Sequence, residues 1–306
     1  MLNAILLNLH YALIYKRCAM KKLIRGITMY KAFYAGHIGF SKTFEEDVET
    51  AVKFGYEGVH IDIVGLSDRD PAEIREILAK NNLKPGGFVL PVNYREGQDV
   101  FEADMQKLPK YCEFAREIGD FRCMTWLIPW SDTLTYEENF ELHRSRLTPI
   151  AKVLEDYGIR FGIEFVGPPG ERKGKKYEFI HNLDGLIRLW DAIGTSNLGV
   201  IMDVWHWDLA GQTYDDFKKI PGKEWVVIAH INDMPKGIAL EDQQDLSREL
   251  PGATGLLRID EFFDGLLKLG YDGPVYAEPF YAPLKEMPYD EAVKVVTDAI
   301  NKVWPL

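Results

Sequence analysis

The chain has 306 residues, 46% hydrophobic and 27% charged, which is ordinary globular composition with ample apolar material for a large core. Thirty-six Lys and Arg against forty-seven Asp and Glu leave a net charge of −11. That sign argues against nucleic acid or an anionic membrane surface as partner. The three cysteines (Cys18, Cys112, Cys123) lack CxxC spacing, so neither a disulfide scaffold nor a thiolate zinc site is expected, and a reducing cytoplasm is the simplest compartment.

Residues 2–15 are apolar and are followed by Lys16, Arg17, Lys21, Lys22 and Arg25. A signal peptide carries its positive charges before the apolar run, so the order here is reversed. Residues 1–28 read as an N-terminal extension and residues 29–306 as one catalytic domain. From Tyr30 onward, short apolar runs alternate with segments of helical periodicity. The runs fall at 32–35, 58–63, 87–92, 123–128, 160–165, 199–204, 226–231 and 274–277. The helical segments fall at 44–54, 71–81, 104–118, 136–157, 179–193, 214–220, 259–269 and 290–304, the sixth being the shortest. Gly55, Gly119, Gly158, Gly194 and Gly270 mark helix ends, where a left-handed residue stops a helix cheaply. The runs are almost continuously apolar, as parallel strands buried on both faces require. Eight such units predict an α/β fold, a single (β/α)8 TIM barrel. No GxGxxG follows the first run, which disfavours an open doubly wound sheet.

Active-site groups in a barrel sit where strands end and in the loops that follow. The fifth run reaches Glu164, the sixth Asp203, the seventh His230 and the eighth Glu278. Any one of these could cap a helix or pair with a nearby lysine. Three carboxylates gathered at one barrel mouth, however, would repel strongly without a cation. The four residues therefore read as ligands of one divalent metal ion. An oxygen-rich set without sulfur favours Mn2+ or Mg2+, with Co2+ and Zn2+ also compatible. His37 after the first run, and His60 with Asp62 on the second, are further candidates for the mouth, His60 equally suited to the core. Trp126, Trp130, Trp205 and Trp207 stand at strand ends, where an apolar wall of the mouth would lie, and are equally suited to the core. The basic run Arg172, Lys173, Lys175 and Lys176 reads first as a solvated loop. The loop from Pro235 to about Arg258, with Pro251-Gly-Ala-Thr-Gly255, is long enough to close over a substrate.

With I-E-F at Glu164, D-V-W-H over 203–206, H-I-N-D over 230–233 and G-Y-D-G-P-V-Y-A-E over 270–278, the chain resembles the xylose-isomerase-like barrel superfamily. That group of sugar phosphate isomerases and epimerases includes ketose 3-epimerases, hydroxypyruvate isomerase, inosose dehydratase and endonuclease IV. The resemblance covers most of residues 30–304. It implies that Glu164 and Glu278 double as metal ligands and acid/base pair, and that His206 and Lys236 contact substrate. It implies a homo-oligomer by analogy. Endonuclease IV uses extra histidines from strands two to four. The third and fourth runs here supply none, which weighs against DNA chemistry. The segment after the fifth run does not reproduce the epimerases' substrate glutamate, and Glu171 is its candidate stand-in. The expected function is a metal-dependent isomerase or epimerase acting on a ketose or related hydroxy-ketone through an enediolate. The alternatives are dehydration of an inosose-type polyol ketone, and a non-catalytic barrel that binds a sugar or a protein.

Overall fold

The computed structural model describes residues 29–305, so the expectation for residues 1–28 lies outside the described residues. Eleven strands follow in chain order: β1 (Tyr30–Phe33), β2 (Gly58–Val59), β3 (Lys84–Pro85), β4 (Phe88–Val89), β5 (Arg122–Trp126), β6 (Trp130–Ser131), β7 (Arg160–Glu164), β8 (Tyr177–Glu178), β9 (Leu198–Asp203), β10 (Val226–Ile231) and β11 (Pro274–Ala277). Nine of them form one parallel sheet in the order β3-β2-β1-β11-β10-β9-β7-β5-β4. Its two end strands, β3 and β4, are consecutive in the chain and separated only by Gly86-Gly87. They are two halves of one kinked strand, and the sheet closes there into a barrel of eight staves. The ladder continues across the kink, with Ile61 N donating to Gly87 O (3.1 Å) and Leu90 N to Met124 O (2.8 Å).

The kink has a packing cause. A Cβ on Gly86 would overlap the hydroxyl of Tyr276 inside the barrel, and Gly87 sits at φ +101°, a conformation that side chains disfavour. The third run, read as one strand from 87 to 92, is therefore split and begins earlier, at Lys84.

The helices are α1 (Phe44–Phe54), α2 (Ile63–Leu66), α3 (Pro71–Lys80), α4 (Gln98–Ile118), α5 (Tyr136–Asp156), α6 (Leu183–Ile193), α7 (Val204–Leu209), α8 (Ile259–Leu269) and α9 (Tyr289–Val303). Thr43 and Thr135 open α1 and α5 with capping boxes closed by Glu46 and Glu138. The five glycines expected at helix ends all have φ between +73° and +81°.

Three expectations need correction. The segment 179–193 becomes helical only at Leu183, because Asn182 caps α6 through Gly185 N. Just upstream, β8 is held in an antiparallel pair with β6. The segment 214–220 is a 3-10 turn over Tyr214–Lys219, and the helix of that unit is instead α7, which starts directly after Asp203. The run 58–63 loses Ile63 to α2, capped by Asp62.

Tyr30, Ala32, Met124, Ile201, Val227, Ile228 and Tyr276 pack as a small cluster apart from the main core. The main core holds other strand residues, such as Phe161, Ile163 and Val200, together with the apolar helix faces of Leu186, Leu189, Phe262 and Leu266. Every residue of β9 and β10 is buried. Their terminal polar side chains are thus held by walls that have almost no freedom to shift.

Candidate active site and metal centre

Strand register gathers the four expected ligands at one end of the barrel. His230 is paired with Asp203 across β10 and β9, and Glu164 ends β7 opposite Trp126. Glu278 follows β11 and donates its backbone N–H to Ile231 O (3.1 Å). The Nδ1 atom of His230 lies 3.4 Å from Glu164 Oε1, 3.5 Å from Glu278 Oε2 and 3.9 Å from Asp203 Oδ2. Neither ring nitrogen of His230 and not Glu164 Oε1 has a hydrogen-bond partner, although all are buried. Orphaned donors converging at roughly 3–4 Å spacing, without hydrogen-bond geometry, are what ligands around one divalent ion look like. Glu164, Asp203 and His230 can offer ligand atoms to one ion, as can His37, His230 and Glu278. The donor set therefore fits a divalent metal, with Asp203 further oriented by Trp205 N (2.8 Å) and Asn232 Nδ2 (3.0 Å) on its Oδ1.

Burial and charge act on these groups in opposite directions. Burial raises Glu164, against the pull of His230 and His206. Burial would raise Glu278 too, but His230, His37 and Arg248 outweigh it and hold that carboxyl well below the usual range. His230 is lifted well above an ordinary imidazole because Glu278 and Glu164 overcome its desolvation. His37, buried in the turn after β1 with Nε2 3.3 Å from Glu278 Oε1, is pushed down by burial to about 4.

Above the ligands lies a cavity of about 560 Å³ lined by Trp126, Glu164, Val166, Glu171, Gln244, Asp245, Leu246, Arg248, Glu278 and Phe280. A smaller chamber of about 160 Å³, lined by His37, Thr125, Trp126, Glu164, His230 and Glu278, extends inward. Trp126 borders both chambers and is 47% exposed, with the Arg95 guanidinium 4.9 Å from its ring centre. His206 is buried, its Nδ1 accepting from Gly167 N (3.3 Å). Its Nε2 faces Arg248 Nη2 (3.4 Å), Asp245 Oδ1 (3.6 Å) and Glu164 Oε2 (3.9 Å). Glu171 lines the larger cavity while its Oε1 accepts from Asp245 N (3.0 Å).

Lys236 is not brought to the site: it is exposed in the loop after β10 and lines neither chamber. The basic group that does arrive is Arg248, from the far end of the same loop and 3% exposed. Its Nη1 donates to Asp203 Oδ2 (2.8 Å) and Glu278 Oε2 (3.0 Å), and its Nη2 to Asp245 Oδ1 (2.7 Å). Trp205 and Phe280 border it, with ring centres 5.3 and 4.8 Å away. Phe280 adopts φ +37° in that position, a local strain stored beside the site. Asp233 anchors the loop: its carboxylate is fully buried and accepts from the backbone N–H groups of Met234, Thr254, Gly255 and Leu257 at 2.7–3.1 Å. The sequence signals that could have found Arg248 were its i,i+3 spacing from Asp245 and its place just before Pro251-Gly252. His60 turns away from the ligands and packs on Tyr34, ring centres 4.2 Å apart. The basic run after β7 ties loops together, Lys173 pairing with Asp242 (2.6 Å) and Arg172 donating to Gly167 O (2.9 Å).

A closed parallel barrel with its polar groups at the strand ends defines the class, and residues 48–299 match the family described as xylose isomerase-like TIM barrel. The chain belongs to that family. Curated relatives include inosose isomerases from Halalkalibacterium halodurans, 23% identical over 278 residues (84% of this chain, 90% of that one), and Bacillus velezensis, 21% over 272 residues (86% and 92%). A xylose isomerase domain protein from Alicyclobacillus acidocaldarius superposes with a TM-score of 0.79 at 26% identity, over 90% of this chain and 98% of its own. The IolI protein with a bound zinc atom gives 0.73 at 19% (90% and 98%), and a D-psicose 3-epimerase in the presence of D-fructose gives 0.69 at 15% (89% and 97%). Among the described residues, no helix is long and apolar enough to cross a membrane.

Proposed function

We propose that the chain is a divalent-metal-dependent isomerase or epimerase of sugars or polyol ketones, working in the cytoplasm. The observation that carries this reading is the convergence of Glu164 and Glu278, from β7 and β11, on the floor of one cavity with His230 between them. Glu164, Asp203 and His230 would hold the ion, with Glu278 Oε2 3.5 Å from the His230 ring as the fourth ligand, in line with the zinc atom of the IolI structure. When bound, the ion supplies Lewis-acid polarisation of a carbonyl, which makes the neighbouring C–H acidic enough for a carboxylate to act on.

The chain's own residues do the rest. One of the two glutamates takes a proton from the carbon beside the carbonyl, leaving an enediolate, and a proton is returned to the same or the adjoining carbon. Arg248 places a fixed positive charge beside that developing negative charge. Glu171 and Trp126, which line the larger cavity, offer a polar group and an apolar wall to the substrate, whereas His206 lines neither chamber and faces Glu164 and Asp245. The curated relatives' name, inosose isomerase, makes cyclic polyol ketones the first substrates to try.

Incubating the Mn2+- or Zn2+-loaded chain with inososes and ketoses, and identifying products by NMR, tests the reading. Isomers or epimers are expected. Water-elimination products would replace it with dehydratase chemistry. A chain that holds no divalent ion and converts nothing would leave a non-catalytic binding barrel.

A further inference from the structure

We propose that Arg248 is a tethered cation that competes with the divalent ion, so that seating of the 235–258 loop and ion binding oppose one another. The inference rests on the metal-ion reading above. Arg248 Nη1 is bonded to the oxygens Asp203 Oδ2 and Glu278 Oε2, the same two atoms that face His230 Nδ1 at 3.9 and 3.5 Å. Those two carboxylates thus serve two cationic partners, one fixed to the loop and one diffusible.

The rest of the guanidinium is held by the loop itself. Arg248 Nε donates to Asp245 O and Nη2 to Asp245 Oδ1, both at 2.7 Å. Asp245 N in turn is bonded to Glu171 on the opposite rim (3.0 Å). Residues 245–248 are therefore a clip with one end on the rim and the other in the ligand set. The rest of the loop is held by other bonds, Lys173 pairing with Asp242 (2.6 Å) and Asp233 accepting from Thr254, Gly255 and Leu257, while Leu246, inside the clip, is 73% exposed. The hinge is also defined, because Asp233 pairs its backbone with Glu249, the residue after Arg248, at 2.8 and 2.9 Å.

The energetic consequence follows from Coulomb's law. A unit positive charge a few ångströms from the ligand oxygens lowers their attraction for a doubly charged ion and, by reciprocity, an ion on those oxygens weakens the arginine's hold. Metal-free protein would have its loop clipped shut. Ion binding would loosen the clip and leave the guanidinium available to a substrate oxyanion. A purely orienting arginine would have the opposite sign, since removing it would disorder Asp203 and Glu278 and weaken the ion.

Competition titration of Zn2+ and Mn2+ against a fluorescent chelator, on the full chain and on R248M and R248K, measures the first arm. R248M is expected to bind the ion about tenfold more tightly or better, and R248K, which keeps the charge, to stay within about threefold of wild type. Limited proteolysis of the wild type across the same titration measures the second arm and needs no variant to fold. Cleavage inside 235–258 is expected to rise as the ion saturates. R248M binding the ion equally or more weakly overturns the proposal, and so does a wild-type loop whose cleavage is unchanged or suppressed by the ion. Wild type and R248M both holding no ion would defeat the metal reading itself, whereas equal binding by the two defeats only this inference.

Discussion

His230 lies at the centre of the candidate site, and its two unpartnered ring nitrogens set the demands on its neighbours. The convergence of the four candidate ligands was legible in sequence because each closes an apolar run, so strand geometry places them without knowledge of any loop. Arg248 was overlooked because its only signals, the spacing from Asp245 and the nearby Pro251-Gly252, lie in a loop without periodicity to say where a side chain points. Two substitutions separate these residues. Lys236→Ala should leave ion content and turnover within about twofold of wild type, as an exposed side chain away from the chambers would, and a large loss would return Lys236 to the site. Trp126→Ala removes a wall of both chambers. Its KM should rise about tenfold, roughly 1.4 kcal/mol, with kcat changed less, and steady-state kinetics showing the reverse split would give Trp126 a part in the chemical step instead.

Among elements, the eight-fold alternation was readable because most staves are buried, β9 and β10 at every residue, and the long helices each have one apolar side. The β6–β8 pair was not, since two residues on each strand leave no period to detect. The Tyr214–Lys219 turn and the short α7 exchanged roles for a related reason. Asp203 accepts from Trp205 N and so starts a helix immediately at the strand end, which periodicity over a longer window overlooks. The Gly86-Gly87 kink is the element-scale feature with the sharpest consequence. Gly86→Ala sets a methyl group against the Tyr276 hydroxyl and 2.9 Å from Val59 O, inside a closed barrel that has no slack. A loss of about 1–3 kcal/mol is expected, read as a lower Tm in thermal unfolding. An unchanged Tm would mean that β3 and β4 can move apart at little cost.

At the scale of the whole molecule, the net charge of −11 is unevenly tolerated: most carboxylates are solvated, while a few are buried. Asp120, just before β5, is 1% exposed and its Oδ2 has no partner, so burial pushes its carboxyl up to about 7. Asp47 on α1 is raised to about 7 for the same reason. An unfolded aspartate titrates near 3.9, so between about pH 4 and 7 the folded chain binds protons that the unfolded chain has released. Stability is therefore greatest at the acid end of that window with respect to these two groups, and falls as pH rises through it. Asp120→Asn should flatten part of that fall and raise stability at pH 8 by an amount on the order of 1–2 kcal/mol, seen as a higher Tm. Denaturation midpoints at pH 5 and pH 8 check this, and a larger pH dependence in the variant would contradict it.

Family membership follows from the match over residues 48–299, but the proposed chemistry rests on proton transfer at a carbon beside a carbonyl, which can be followed directly. The ion-loaded chain is incubated with inosose and ketose substrates in D2O, and carbon-bound deuterium is followed by NMR in wild type, E164Q and E278Q. Wild type is predicted to exchange a C–H next to the carbonyl, with the rate falling about 10²–10⁴-fold in each variant. A wild-type chain that converts substrate with no deuterium gained at carbon, or variants that exchange as fast as wild type, would contradict the account.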